Sequence, residues 1–105
     1  MAVYTSGDWH VKPGREQEFV DAWREMAEWS TNEYGPNGWG KLLRDKEDPA
    51  RFRSVGAWPD ERVVEDWRAS DGFKQRLAKI RELLEEVTIR TFDLATEVGR
   101  MSAQQ

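Results

Sequence analysis

Apolar and polar positions alternate from Val3 to Val11, with Val3, Thr5, Gly7, Trp9 and Val11 on one side and Tyr4, Ser6, Asp8 and His10 on the other. A period of two predicts a β-strand, which Pro13-Gly14 ends. From Arg15 to Glu33 the period lengthens: Phe19, Ala22, Trp23, Met26, Trp29 and Ser30 recur at spacings of three and four among acids and arginines. This predicts an amphipathic helix, stopped by Gly35-Pro36. Two further strands are predicted over Gly38 to Arg44 and Arg51 to Trp58, joined as a hairpin by the polar loop "DKEDPA". Pro59-Asp60 opens a short helix with Val63, Val64 and Trp67 on one face, and Ser70 is a candidate N-cap for another. The stripe of that last helix, Phe73, Leu77, Ile80, Leu84 and Val87, keeps helical spacing throughout, and strand character returns from Thr88 to Val98.

The resulting order, βαββαβ, predicts an α+β fold: a ferredoxin-like antiparallel sheet with helices on one face. No repeat or low-complexity segment divides the chain, so one domain is expected over residues 1–98, with a tail at 99–105. Both terminal strands carry apolar residues on each face, Val3, Trp9 and Val11 against Ala2 and Tyr4, and Phe92 and Leu94 against Ile89 and Ala95. Helices on one side would leave the second face wet, which predicts a homodimer through the sheet.

Composition narrows the function classes. The 105 residues include 34% charged and 38% hydrophobic residues with a net charge of -4, a balance suited to a folded domain without a polyelectrolyte patch. No apolar run approaches the ~20 residues of a membrane span, and no membrane partner is expected. Without cysteine there is no disulfide, thiolate metal site or thiol catalysis, and with nothing resembling a signal sequence the expected location is cytoplasmic. One histidine cannot build a common zinc site, and "DKEDPA" lacks the ligand spacing and glycine of a calcium loop, so no metal is expected. RNA-recognition domains share the βαββαβ order, but the aromatic spacing of their signature is missing and the chain is acidic, so no nucleic-acid partner is expected. Six tryptophans, at 9, 23, 29, 39, 58 and 67, stand out, since each can bury about 150 to 250 Å² in a core or a binding site.

Four segments, "VKPGREQEF", "GWGKLLRD", "RFRSVGAWPDE" and "DWRASDGFKQRL", in this order and spacing resemble the antibiotic biosynthesis monooxygenase (ABM) family of dimeric α+β barrels. The resemblance covers about Val3 to Val98 and implies a small apolar pocket between sheet and helices. The family's polyketide oxygenases carry an asparagine four residues before the strand-ending tryptophan and a tyrosine six after it; here those positions are Ser54, Trp58 and Val64. Such enzymes need no cofactor, because the electron-rich substrate itself reduces oxygen while the protein supplies an apolar pocket and hydrogen-bond donors. The resemblance therefore makes Trp58 and Ser54 the candidate catalytic residues, with the Trp58 indole N–H and the Ser54 hydroxyl as donors and no role in proton transfer for Val64. Haem-degrading members carry an asparagine, a tryptophan and an iron-ligating histidine where this chain has Gly7, Trp67 and Leu77, so no axial imidazole is expected at that place.

The small residues Gly7, Ser54 and Gly56 are expected on the helix side, leaving volume among Trp9, Trp58 and Trp67. With Val64, these complete the expected binding wall for a small hydrophobic or aromatic molecule. His10, on the other strand face beside Asp8, reads either as a proton shuttle tuned by Asp8 or as an ordinary strand-end histidine. Two functions stand at this point: a cofactor-independent monooxygenase of phenolic or quinol-type substrates, and a non-catalytic dimer that binds a ligand or whose tryptophans only fill the core.

Overall fold

The computed structural model describes residues 3–35 and 38–99. Its elements are β1 (Val3–Val11), α1 (Glu16–Tyr34), β2 (Trp39–Arg44), β3 (Arg51–Trp58), α2 (Glu61–Ala69), α3 (Asp71–Arg81) and β4 (Leu84–Asp93). The four strands form one antiparallel sheet in the order β2-β3-β1-β4, the ferredoxin-like topology. Ala2, Pro36 and most of the expected tail lie outside the described residues.

The alternation in β1 sorts its residues as expected. Val3, Trp9 and Val11 are buried towards the helices, and the register places Thr5 opposite Gly56, Gly7 opposite Ser54 and Trp9 opposite Phe52 on that same face. The core forms where these residues meet Phe19 and Met26 of α1, Val64 and Trp67 of α2, and Phe73 and Ile80 of α3. Short polar contacts close the connections. Gly14, at φ 86°, makes the left-handed turn from β1 towards α1 that other residues adopt at a cost. In the β2–β3 hairpin the Asp45 carboxylate accepts from the backbone N–H of Glu47 and Asp48, and Asp48 accepts from Ala50, so two of the loop's acids hold the turn. Asp60 caps α2 by accepting from Val63 N–H. Ser70 serves two helices, donating to the Trp67 carbonyl at the end of α2 and accepting from Phe73 N–H at the start of α3.

The structure departs from the helical stripe at its end. Helix α3 stops at Arg81, and Leu84 and Val87 belong to β4, which starts earlier than Thr88 and ends at Asp93. A tight turn, Leu83 N–H to Ile80 carbonyl at 2.9 Å, breaks the helix, and the Lys12 backbone N–H donates to the Leu83 carbonyl. Pairing with β1 begins at Leu84, with a register shift between His10 and Val11 that turns Leu84 into the core. Burying Leu84 therefore satisfies the helical and the strand pattern equally, and the open edge of β1 decides for the strand. Leu94 to Val98 carry no regular structure.

Trp29 and Trp39 take separate places. Trp29 joins α1 to α3: its ring lies over Gly72, where a Cβ would overlap it, and the Arg76 guanidinium stacks 4.2 Å from its centroid while donating to Glu25. Trp39 lies on the outer sheet face beside Tyr4, with ring centroids 6.4 Å apart. The register also places Val55, Ala57 and Phe92 on this face, and Trp39, Leu43 and Phe92 each stay about half exposed at 45%, 52% and 47%. The sheet thus has a buried face under the helices and an outer face that is charged around Asp8, His10 and Arg53 and apolar around Tyr4 and Trp39, where no other described residue covers it.

Candidate functional site

A cavity of about 70 Å³ lies between the helix face of the sheet and α1, over the rungs Thr5–Gly56 and Gly7–Ser54. A single water needs roughly 10–15 Å³ on this measure and a cavity that takes benzene about 150 Å³, so the space holds several waters, and a ring would extend beyond it through its open side. Its floor is Thr5, Gly7, Ser54, Gly56 and Ile89, and its roof is Trp23, Met26, Ala27 and Ser30 of α1. Aromatic chains stand at both ends. Trp9, Phe19 and Phe52 pack at centroid distances of 5.4 and 5.0 Å, and Trp58, Trp67 and Phe73 at 4.4 and 4.5 Å.

Each of the three buried indoles at the cavity has an acceptor for its N–H. Trp9 Nε1 donates to Ser54 Oγ at 3.0 Å, Trp58 Nε1 to Thr5 Oγ1 at 2.9 Å, and Trp67 Nε1 to Ser30 Oγ at 2.8 Å. Burying an indole contributes on the order of 4–6 kcal/mol of gross transfer free energy, and an unpaired N–H takes back about 1–3. The hydroxyls thus decide how these rings are held.

These bonds change what the expected site residues offer. The Trp58 N–H points to Thr5 and is not a free donor. Ser54 accepts from Trp9 and keeps its own hydrogen. Gly7 and Gly56 lie on the helix face as expected, but they do not simply leave empty volume. A Cβ on Gly7 would stand 2.6 Å from Trp9 Nε1, so the indole of Trp9 occupies that space, and a Cβ on Gly56 would lie 3.1 Å from the Trp39 carbonyl oxygen and 3.6 Å from Thr5 Oγ1. Trp9 and Trp67 line the cavity, whereas Val64 does not: it is 2% exposed within the core, in the α2 layer. His10 is on the outer face opposite Arg51 and Glu86, and the Asp8 carboxylate accepts from Arg53 at 2.9 Å rather than serving His10.

No charged side chain and no histidine lines the cavity, and no group of metal-ligating side chains occurs among the described residues. Nothing in the wall pairs with a phosphate or supplies an imidazole to iron, and Leu77 packs against the core. The residues that sequence reasoning missed are Thr5 and Ser30. Thr5 was visible as the one hydroxyl in the buried row of β1, and Ser30 as a polar member of the α1 stripe; their tryptophan partners, 53 and 37 residues away, were not.

The ABM sequence profile, described as antibiotic biosynthesis monooxygenase, matches residues 3–79. The chain belongs to the ABM family. Among curated proteins none matches the sequence. Solved structures repeat the fold of this ABM chain at low identity. SnoaB of Streptomyces nogalater, a cofactor-independent oxygenase, is similar with a TM-score of 0.83 and 18% identity over 94% of this chain and 98% of its own. A conserved protein of Methanosarcina mazei Go1 has a TM-score of 0.77 and 24% identity over 88% and 91%. At these identities the likeness carries the fold, and the chemistry of the ABM cavity rests on its own residues.

Ser54→Ala should destabilise the chain by about 1–3 kcal/mol in urea unfolding, because it strands the Trp9 N–H, and combining it with Trp9→Phe should add less than the sum of the two single costs. Strict additivity would contradict the pairing.

Proposed function

We propose that this ABM chain is a homodimer that holds a small hydrophobic or aromatic metabolite in the cavity and oxidises it with molecular oxygen, as a cofactor-independent monooxygenase of phenolic or quinol-type substrates. The carrying observation is the cavity: uncharged, walled by indoles, and furnished with hydroxyls on its sheet side. SnoaB, of the same fold, is a cofactor-independent oxygenase.

The chemistry asks little of the protein. The substrate, as its phenolate or enolate, gives electrons to oxygen; the ring CH₂ of an anthrone becomes C=O, or a ring C–H of a quinol becomes C–OH while the quinol becomes the quinone, and in both one oxygen atom enters the product and the other leaves as water, with four electrons passing from substrate to O₂. The wall excludes bulk water, and the Ser54 hydroxyl donates to the oxygen on which negative charge rests. Trp58 packs the ring and holds Thr5. Among the described residues no titratable side chain lines the cavity, so the proton that leaves carbon passes to solvent or to the reduced oxygen.

That same lack of a titratable group favours the second reading, a dimer that binds the molecule without changing it. Oxygen consumption separates the two. With an anthrone or a quinol, uptake of one O₂ per substrate is expected, reduced at least tenfold in Ser54→Ala; saturable binding with no uptake above the uncatalysed rate overturns the oxygenase and leaves the binding dimer.

The dimer covers the outer sheet face. Tyr4, Trp39, Val55, Ala57 and Phe92 form an apolar surface that helices do not reach, and a second copy pairs like with like across a two-fold axis. In sedimentation equilibrium the chain should weigh two copies and Phe92→Glu one; a monomeric wild type contradicts this.

A further inference from the structure

The hydrogen bonds around the cavity leave two hydroxyl hydrogens without a destination. A serine or threonine oxygen gives one hydrogen and accepts at two lone pairs. Ser30 uses both functions inside the protein, accepting from Trp67 and donating to the Met26 carbonyl at 2.6 Å. Ser54 and Thr5 do not. Each accepts an indole N–H, and among the described residues none accepts from either hydroxyl. An indole nitrogen can only donate, so the sense of both bonds is fixed: the hydroxyl oxygen faces the indole and its hydrogen turns elsewhere.

The sheet register gives that direction a meaning. Thr5 stands opposite Gly56 and Ser54 opposite Gly7, so the two hydroxyls occupy neighbouring rungs of β1 and β3 on the face that floors the cavity. Across each rung is a glycine, and the side chains that lie over Gly7 and beside Gly56 are the indoles of Trp9 and Trp58, which can donate to the hydroxyls but cannot accept from them. The remaining lining side chains are apolar or indole apart from Ser6, Ser30 and Thr31. Ser6 belongs to the outer-face row of β1, Ser30 is satisfied, and the Thr31 hydroxyl donates to the Glu28 carbonyl. A ligand that fills this space without an acceptor leaves the Thr5 and Ser54 hydrogens buried and unpaired.

We propose that Thr5 is a ligand-orienting residue: with Ser54 it forms a pair of hydroxyl donors that selects a ring ketone over a hydrocarbon of the same shape, and Trp58 acts through Thr5 and is not itself a donor to the ligand. A carbonyl oxygen accepts and never donates, which matches what the two hydroxyls have left to give. The selectivity expected from one such bond is about tenfold in affinity. The inference rests on the cavity being a ligand site, and its test separates the two claims.

The probes are 1-tetralone and tetralin, equal in shape and differing in the carbonyl, titrated into the full chain by calorimetry. Wild type should bind 1-tetralone about tenfold more tightly. Thr5→Val should cut that preference severalfold, to the part that Ser54 supplies, and Thr5→Ser should keep it. Because Thr5→Val frees the Trp58 N–H as a new donor in the cavity, Thr5→Val with Trp58→Phe is the deciding variant, and it should show the same reduced preference. Equal affinity of wild type for the two probes, or an undiminished preference in Thr5→Val with Trp58→Phe, overturns the role of Thr5 and leaves the pocket reading intact. Binding of neither probe overturns both.

Discussion

A buried indole N–H needs an acceptor, and three times in this small domain a single hydroxyl provides it. Trp9, Trp58 and Trp67 are the large side chains around which the sheet and helices close, and each is pinned by a residue on a different element: Ser54 on β3, Thr5 on β1, Ser30 on α1. The bonds tie β1 to β3 twice and α1 to α2 once. They also set the rings' orientations, because an indole turned away from its hydroxyl loses about as much as a small core truncation costs. Packing buries these rings, and the polar contacts fix where their N–H edges face.

The cavity follows from these directions. Trp9 lies back over Gly7 to reach Ser54, and Trp58 reaches Thr5 beside Gly56, so the space between the two aromatic chains is left unfilled by either. The same bonds strip the indoles of their donors and leave the donors on the sheet. A site that looks from its residue types like a tryptophan-based oxyanion pocket is, by its geometry, a hydroxyl-based one with indole walls.

Much of the architecture was legible along the chain because it depends on periods. The strand β1 and helix α1 come from alternation and from three-and-four spacing, and the caps at Asp60 and Ser70 from local chemistry. Leu84 and Val87 were not legible, since their spacing from Ile80 suits a helix and a strand alike, and only the edge of β1, some seventy residues earlier, resolves it. Thr5 and Ser30 were hidden for a related reason: a hydroxyl among apolar residues shows that something needs it, but its partner is set by the tertiary register. Gly7 looks along the chain like room for a ligand, when most of its room belongs to Trp9.

The cavity depends on the three indole bonds, and hydrogen exchange of the tryptophan side chains addresses them directly. In ¹⁵N-labelled protein the indole N–H signals of Trp9, Trp58 and Trp67 should exchange with D₂O at least a hundredfold more slowly than the same signals in the urea-unfolded chain, and Thr5→Val should release Trp58 alone. If Trp9 and Trp58 exchange in the folded protein as fast as when unfolded, their N–H groups face water, and the hydroxyls do not hold the cavity.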